Sequence, residues 1–421
     1  MEQSRAALLP ILLMILIVLV LAGLTWVNYS YALHNPGGND FIPRWLGTRL
    51  FIMEGLSPYS EATSQAIQEM VFGRSAHAGE DRSLFVYPFY SLYIFAPFAL
   101  VADFNMARAL WMTVLEVSLI LLAVAGLALS RWRIQPVLLV ALLVLSVLWY
   151  HGVRSVINGN AAILCSLFIA GAFLAIRAGQ DGVAGFLLAL ATIKPQIVIL
   201  LDIFIILWAI SHRRWPLVWS FLGSLALLAA TTSLLIPDWI WQNLRQVASY
   251  PNYTLPGTPG AIFALWMPGV GSRLGWALTI LLAGVLIFEW RLAWAKGFEW
   301  FLWTACLTLT ITNLIGIRTA TDNFLALLPA MILVLATWDQ DWGLFGRGLV
   351  ILSLIGMFFG LWWLFLSTIY ELNGQVTQGP VMFFPVPVFT LVGLYWIRWW
   401  YLRPPRPLLD QFRRPPGRNA G

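Results

Sequence analysis

Asp40 stands in the stretch Gly37-Gly38-Asn39-Asp40-Phe41-Ile42-Pro43-Arg44, about a dozen residues beyond the first long apolar run. A carboxylate there has two readings. It can take a proton from a hydroxyl nucleophile, as a general base. Alternatively, Asn39 or Asp40 caps the helix that Pro43 then enters. Three further places gather polar groups able to bind or react. One is the turn Asn158-Gly159-Asn160. The second is Lys194-Pro195-Gln196, holding one of only two lysines in the chain, Lys296 being the other. The third is Arg318-Thr319-Ala320-Thr321-Asp322-Asn323.

The elements that must position these residues are set by composition. The 421 residues are 60% hydrophobic and 10% charged, against about 25% charge in soluble domains. Mean hydropathy is +0.79. The expected class is an all-α polytopic membrane protein. The 23 tryptophans agree, because indole rings favour the membrane interface. Cys165 and Cys306 lie in apolar runs and read as small hydrophobes. The net charge is +6, and Arg131, Arg133, Arg213, Arg214 and the tail from Arg398 to Arg418 sit beside apolar runs. Positive-inside topology accounts for them, and no nucleic-acid partner is expected.

Twelve apolar runs give about twelve transmembrane helices: 7–27, 106–129, 135–150, 160–178, 182–193, 195–210, 216–236, 272–292, 298–316, 322–338, 344–368 and 381–402. Residues 1–402 read as a single transmembrane catalytic domain, and 403–421 as a basic cytoplasmic tail. Residues 28–105 form an outer loop. Within it, Pro43 to Met53 and Glu61 to Phe72 read as amphipathic helices on the membrane surface. Residues 85–102 either span or form a surface or re-entrant segment, the latter favoured by Pro88, Pro97 and three tyrosines. Residues 182–210 are either one kinked helix or two short ones meeting at Lys194. A lysine at the bilayer centre costs about 2.5–3.5 kcal/mol on insertion scales, so two helices with Lys194 at the outer face are preferred. Asp40, Asn158 to Asn160, Lys194 and 318–323 then share the outer side.

The chain resembles the membrane-embedded C-type glycosyltransferases, and specifically glycosyltransferase family 87, the polyprenyl-phosphate-mannose-dependent α-1,2-mannosyltransferases. The matching stretches are Gly38-Asn39-Asp40-Phe41, Glu54 to Tyr59, Tyr87-Pro88-Phe89-Tyr90 with Ala96-Pro97-Phe98, Ala107 to Trp111, Asn158-Gly159-Asn160-Ala161 and Ala184 to Pro195. The ordered series carries the resemblance. It departs at Asn160, where the family usually has Gln. The resemblance implies a C-type fold in the cell membrane with an extracytoplasmic active site. It also implies a polyprenyl-phosphate sugar donor, a glycolipid or polysaccharide acceptor, and inversion at the anomeric carbon. Asp40 would be the general base. Lys194, Arg318 and Arg44 would meet the donor phosphate, and Asn158, Asn160, Asp322, Asn323 and Tyr87 would contact substrate.

Each assignment has a plainer counterpart. Lys194 snorkels to headgroups, Arg318 forms a surface pair with Asp322, and Arg44 binds membrane lipid. Glu54, Glu61, Glu80, Asp81 and Asp103 are surface or capping acids. Glu116 and Asp202, inside spans, are structural hydrogen-bonding groups. His34, His77, His151 and His212 lack metal-ligand spacing, and no metal or cofactor is expected. His34 and His151 would face the outer side, within reach of a sugar. Trp26, Tyr29, Tyr31 and Trp45 either stack on sugar or belt the interface. The 237–271 loop reads as a flexible lid carrying Trp239, Trp241, Tyr250 and Tyr253. A lipid-substrate transporter or flippase and an inactive envelope scaffold are the competing functions.

Overall fold

The computed structural model describes residues 2–402 apart from 78–79, 253, 255–256, 316, 318 and 373–374. The 403–421 tail and Arg318 thus lie outside the described residues. In lipid a backbone must satisfy its own polar groups, and a helix does so within one segment. Each of the twelve apolar runs is accordingly helical. The helices are α1 (Glu2–His34), α2 (Ile42–Glu54), α3 (Glu61–Phe72), α4 (Leu92–Ala99), α5 (Phe104–Ser130), α6 (Pro136–Leu148) and α7 (Tyr150–Asn158). Next come α8 (Ala162–Arg177), α9 (Asp181–Ala191), α10 (Pro195–Ser211), α11 (Trp215–Ser233), α12 (Trp239–Ser249) and α13 (Pro259–Trp266). The last six are α14 (Gly271–Ala293), α15 (Phe298–Thr312), α16 (Leu328–Asp341), α17 (Gly343–Ile355), α18 (Leu361–Thr368) and α19 (Pro385–Leu402).

Two expectations change. Among the described residues seven helices are long and apolar enough to cross a membrane, or eight when the pair α6–α7, bent by 43°, counts as one span. The figure of about twelve had also counted α8, α9, α10 and α15, which have 16, 11, 17 and 15 residues. About 20 are needed to cross. The chain is also not wholly helical: β1 (Tyr370–Leu372) and β2 (Gln375–Thr377) pair as an antiparallel hairpin.

Helix ends segregate into two levels. At one level Arg177 donates to the Ala128 carbonyl at 2.6 Å, and Arg214 pairs with Asp181. There too Trp208 donates to the Lys296 carbonyl at 3.0 Å, and Trp132 donates to Asp339 at 2.9 Å. Asp181 opens α9 and Arg214 follows α10, so the chain rises through α9, turns at Lys194 and returns through α10. The 182–210 segment is therefore two helices. Both α8 and α10 measure about 24–26 Å at 1.5 Å per residue, against a hydrocarbon core of ~30 Å. The opposite level, where Asn160 and Lys194 lie, is thus recessed.

Arg108 of α5 secures that recessed level. Its Nη1 donates to the Asn35 carbonyl at 2.8 Å, just past α1, and its Nη2 to the Ile157 carbonyl at 3.3 Å, in the last turn of α7. A cation at two helix C-termini satisfies carbonyls that have no intrahelical donor. The approach is so close that a Cβ on Gly37, at φ +148°, would lie 2.4 Å from Arg108 Nη2. The Asp40 loop then pairs with the α7–α8 turn. The backbone N–H groups of Asp40 and Phe41 donate to the Asn158 carbonyl at 3.0 and 3.1 Å. Phe41 stacks on Trp111, whose indole N–H donates to the Gly159 carbonyl at 2.9 Å.

Gly159 has φ +71°, and a Cβ there would lie 2.6 Å from Phe41 Cβ. Gly159→Ala should therefore destabilise the protein by about 2–4 kcal/mol, from left-handed backbone plus overpacking. The check is a thermal melt in detergent, in which an unshifted midpoint would contradict this packing.

Candidate active site

Asp40 is not a helix cap. The residue preceding α2 is Phe41, and no side chain caps that helix. Asp40 is half-buried, and its carboxylate Oδ2 accepts from Asn160 Nδ2 at 3.0 Å. Asn160 in turn takes Lys194 Nζ at 2.8 Å and the Ala162 N–H at 2.9 Å on its Oδ1. Lys194 Nζ also donates to Asn323 Oδ1 at 2.9 Å. The Asn323 amide donates to Thr319 Oγ1 at 3.0 Å, and that hydroxyl donates to Asn313 Oδ1 at 2.9 Å. One hydrogen-bond chain thus joins the Asp40 loop, the α7–α8 turn, the α9–α10 apex and the turn before α16.

Lys194 is only 3% exposed, so it does not snorkel to headgroups. Burying an ammonium costs several kcal/mol. Two amide oxygens and the nearby Asp40 carboxylate offset that. Burial lowers the Lys194 ammonium, and Asp40 opposes the shift. Burial pushes the Asp40 carboxyl above the ordinary carboxylate range, and the Asp322 carboxylate acts the same way. Arg44, Lys194 and the Asn160 amide pull it back.

Arg44 is buried on α2 with its guanidinium 4.0 Å from the Tyr87 ring centroid. Its Nε has no hydrogen-bond partner, and among the described residues none bonds its other nitrogens. This is a buried cation close to Asp40 with no direct ion pair among the described residues. Asp322 is buried too. Its Oδ1 accepts from Ser155 at 2.8 Å and lies 3.8 Å from Arg154 Nε. The pair expected between Arg318 and Asp322 has one member outside the described residues; Arg154 is the partner seen. Asn158 contributes its carbonyl rather than its side chain.

Other expectations separate. Asp103 caps α5, accepting from the Met106 N–H at 2.7 Å. Glu80 is paired with Arg74, and that bond lowers its carboxyl to about 2. His151 cannot reach a sugar: it is fully buried among Trp149, Tyr150 and Phe324, with both ring nitrogens unpaired. His34 is exposed and bonds the Ser30 carbonyl. Trp45 is buried and donates to the Phe98 carbonyl at 3.1 Å, so it is structural rather than a sugar platform. Glu116 accepts from Asn28 at 2.8 Å, whereas buried Asp202 Oδ1 has no partner. Among the described residues no group of three or more His, Cys, Asp or Glu could hold a metal ion.

The 237–271 loop is more ordered than a free lid, though Tyr253 lies outside the described residues. Its helix α12 is tied down where Asn243 donates to the Tyr87 carbonyl at 3.0 Å and Ser57 donates to Gln242 at 2.6 Å. This brings Tyr250 towards the site. Burial, with the carboxylates of Asp81 and Asp40, holds its phenol high. Sequence reasoning missed Arg154, Ser155 and Gln378 as site neighbours. Arg154 carried only a topological signal, and Gln378 carried none.

The model of glycosyltransferase family 87 matches residues 85–315, more than half of the chain. That span holds Tyr87, the α7–α8 turn and Lys194. No curated protein and no solved structure matches the chain. A membrane-embedded chain with this site and this match belongs to glycosyltransferase family 87.

Proposed function

We propose that the protein is an inverting glycosyltransferase of C-type fold that uses a polyprenyl-phosphate sugar, with mannose as the family default. The acceptor is a hydroxyl of a glycolipid or polysaccharide. The observation that carries this reading is a half-buried acid, Asp40, free of capping, beside a buried guanidinium that has no hydrogen bond among the described residues. The acceptor oxygen attacks the anomeric carbon as its proton passes to Asp40. The bond from that carbon to the phosphate oxygen breaks, and the phosphate leaves with the electron pair. Arg44 and the remaining N–H of Lys194 stabilise the charge that develops there. Arg318 is a further candidate for that role. Asn158, Asn160, Asp322, Asn323 and Tyr87 line the sugar. The basic residues at the opposite level support a plasma-membrane orientation with this site outside.

Asp40→Asn keeps the size of the side chain and cannot accept the proton. Turnover should fall by about 10²–10⁴-fold with donor binding retained. Transfer of radiolabel from polyprenyl-phosphate mannose in membranes is the measure, and normal turnover by a stable variant would remove Asp40 from the chemistry.

Activity needs the Asp40 carboxylate, so kcat/KM should fall as pH drops through its raised pKa. The Asp322 charge helps raise it. Asp322→Asn should therefore move the acid limb to lower pH. A limb that stays in place or moves upward contradicts the coupling.

Arg44→Gln removes a charge-assisted contact worth about 1.5–3 kcal/mol, so donor affinity should drop roughly 10- to 150-fold. Titration with the polyprenyl phosphate product reads this out. Unchanged affinity would place the phosphate elsewhere.

A further inference from the structure

Beyond the phosphate side of the site, a second polar knot joins α7 to the hairpin. Arg154 Nη1 donates to the Tyr150 hydroxyl at 2.8 Å and to Gln378 Oε1 at 2.7 Å. The Tyr150 and Thr321 hydroxyls each donate to the same Gln378 oxygen at 2.9 Å. Three donors on one oxygen fix the orientation of the carboxamide. Its NH₂ then faces away from the knot and donates to no described residue. Arg154 Nη2 likewise donates to none. The Arg154 side chain is 31% exposed, and Gln378, which follows β2, is partly exposed. Both N–H groups therefore belong to side chains that are held in place and partly exposed.

The charges divide this site. Lys194 and Arg44 both act on the Asp40 carboxylate, and Arg44 acts on that of Asp81 as well. Arg154 has Asp322 at 3.8 Å, so its charge is balanced. An anion brought to the second side would meet the Asp322 carboxylate. A neutral hydroxyl would not, and guanidinium and carboxamide N–H groups both donate to hydroxyl oxygens. The two sides are adjacent, because Asp322 precedes Asn323, whose side chain holds Lys194.

We propose that Arg154, Asp322 and Gln378 form the acceptor subsite, and that it recognises a neutral, hydroxyl-rich sugar. This assignment rests on the glycosyltransfer reading above and adds where the second substrate sits. Gln378 is a specificity-determining residue presented by the hairpin, and Ser155 positions Asp322.

Gln378→Glu is the informative substitution. It keeps an oxygen for Tyr150, Arg154 and Thr321, and it replaces the open NH₂ donor with an acceptor. Kinetics use polyprenyl-phosphate mannose as donor, with octyl mannoside and its monodeoxy analogues as acceptors. The KM for octyl mannoside should rise by about tenfold or more, as expected for one lost hydrogen bond to a buried or charged environment, without a matching change in donor KM. One deoxy analogue should show the same KM with both enzymes, because the contact is already missing. An unchanged acceptor KM, or a fall in kcat with both KM values constant, overturns the subsite. Failure of the wild-type enzyme to transfer to any of these acceptors overturns the glycosyltransfer reading, and the subsite with it.

Discussion

A buried ammonium cannot stand alone, and in this protein Lys194 imposes that condition on four separate parts of the chain. Its N–H groups need oxygens, and the apolar runs around it offer few. Asn160 and Asn323 supply them from opposite sides at 2.8 and 2.9 Å. Each amide is held in turn, Asn160 by the Ala162 N–H and Asn323 by Thr319. Losing one partner would leave a buried charge uncompensated, at a cost of about 3–5 kcal/mol. The apex between α9 and α10, the turn between α7 and α8, and the turn before α16 are thereby held at one depth. Asp40 joins them through Asn160.

How far this was legible in the sequence depends on the kind of signal. Helices were readable because apolar runs in lipid have one local solution. The apex at Lys194 was readable because a lysine is costly at the bilayer centre and Pro195 marks a helix start. The count of crossings was less readable: hydropathy marks α9 as apolar, and only its length of 11 residues shows that it falls short. The grouping of Asp40, Asn160, Lys194 and Asn323 followed from putting polar turns on one face. The Arg154–Gln378 knot did not, because it joins residues 224 positions apart and Gln378 lies beside no motif. His151 shows the converse error, since an outer-face position says nothing about which way a ring turns.

Two clamps of different chemistry meet at Asp40. Below it, Arg108 gathers carbonyls from the ends of α1 and α7, and glycine at 37 lets the loop pass over the guanidinium. Beside it, Phe41 is fixed between Trp111 and the aromatic rings of Phe95 and Phe98. The loop backbone is therefore set by packing, and its carboxylate is left free of backbone duties. That division suits the base role proposed for Asp40: rigid placement with an oxygen still available.

Asn160 is where the chain departs from the Gln that the family resemblance implies, and its geometry gives the departure a physical sense. Its oxygen takes two N–H donors, so its nitrogen must face Asp40 and the amide cannot flip without losing both. The contact to Oδ2 leaves Asp40 Oδ1 without a donor among the described residues. A glutamine would add one methylene between the same backbone and the same carboxylate. The Asp40 loop could then retreat only by lengthening the bonds of its N–H and the Phe41 N–H to the Asn158 carbonyl, now 3.0 and 3.1 Å. The shorter side chain therefore fits a turn already drawn tight by those bonds. It holds one carboxylate oxygen and leaves the other without a donor among the described residues.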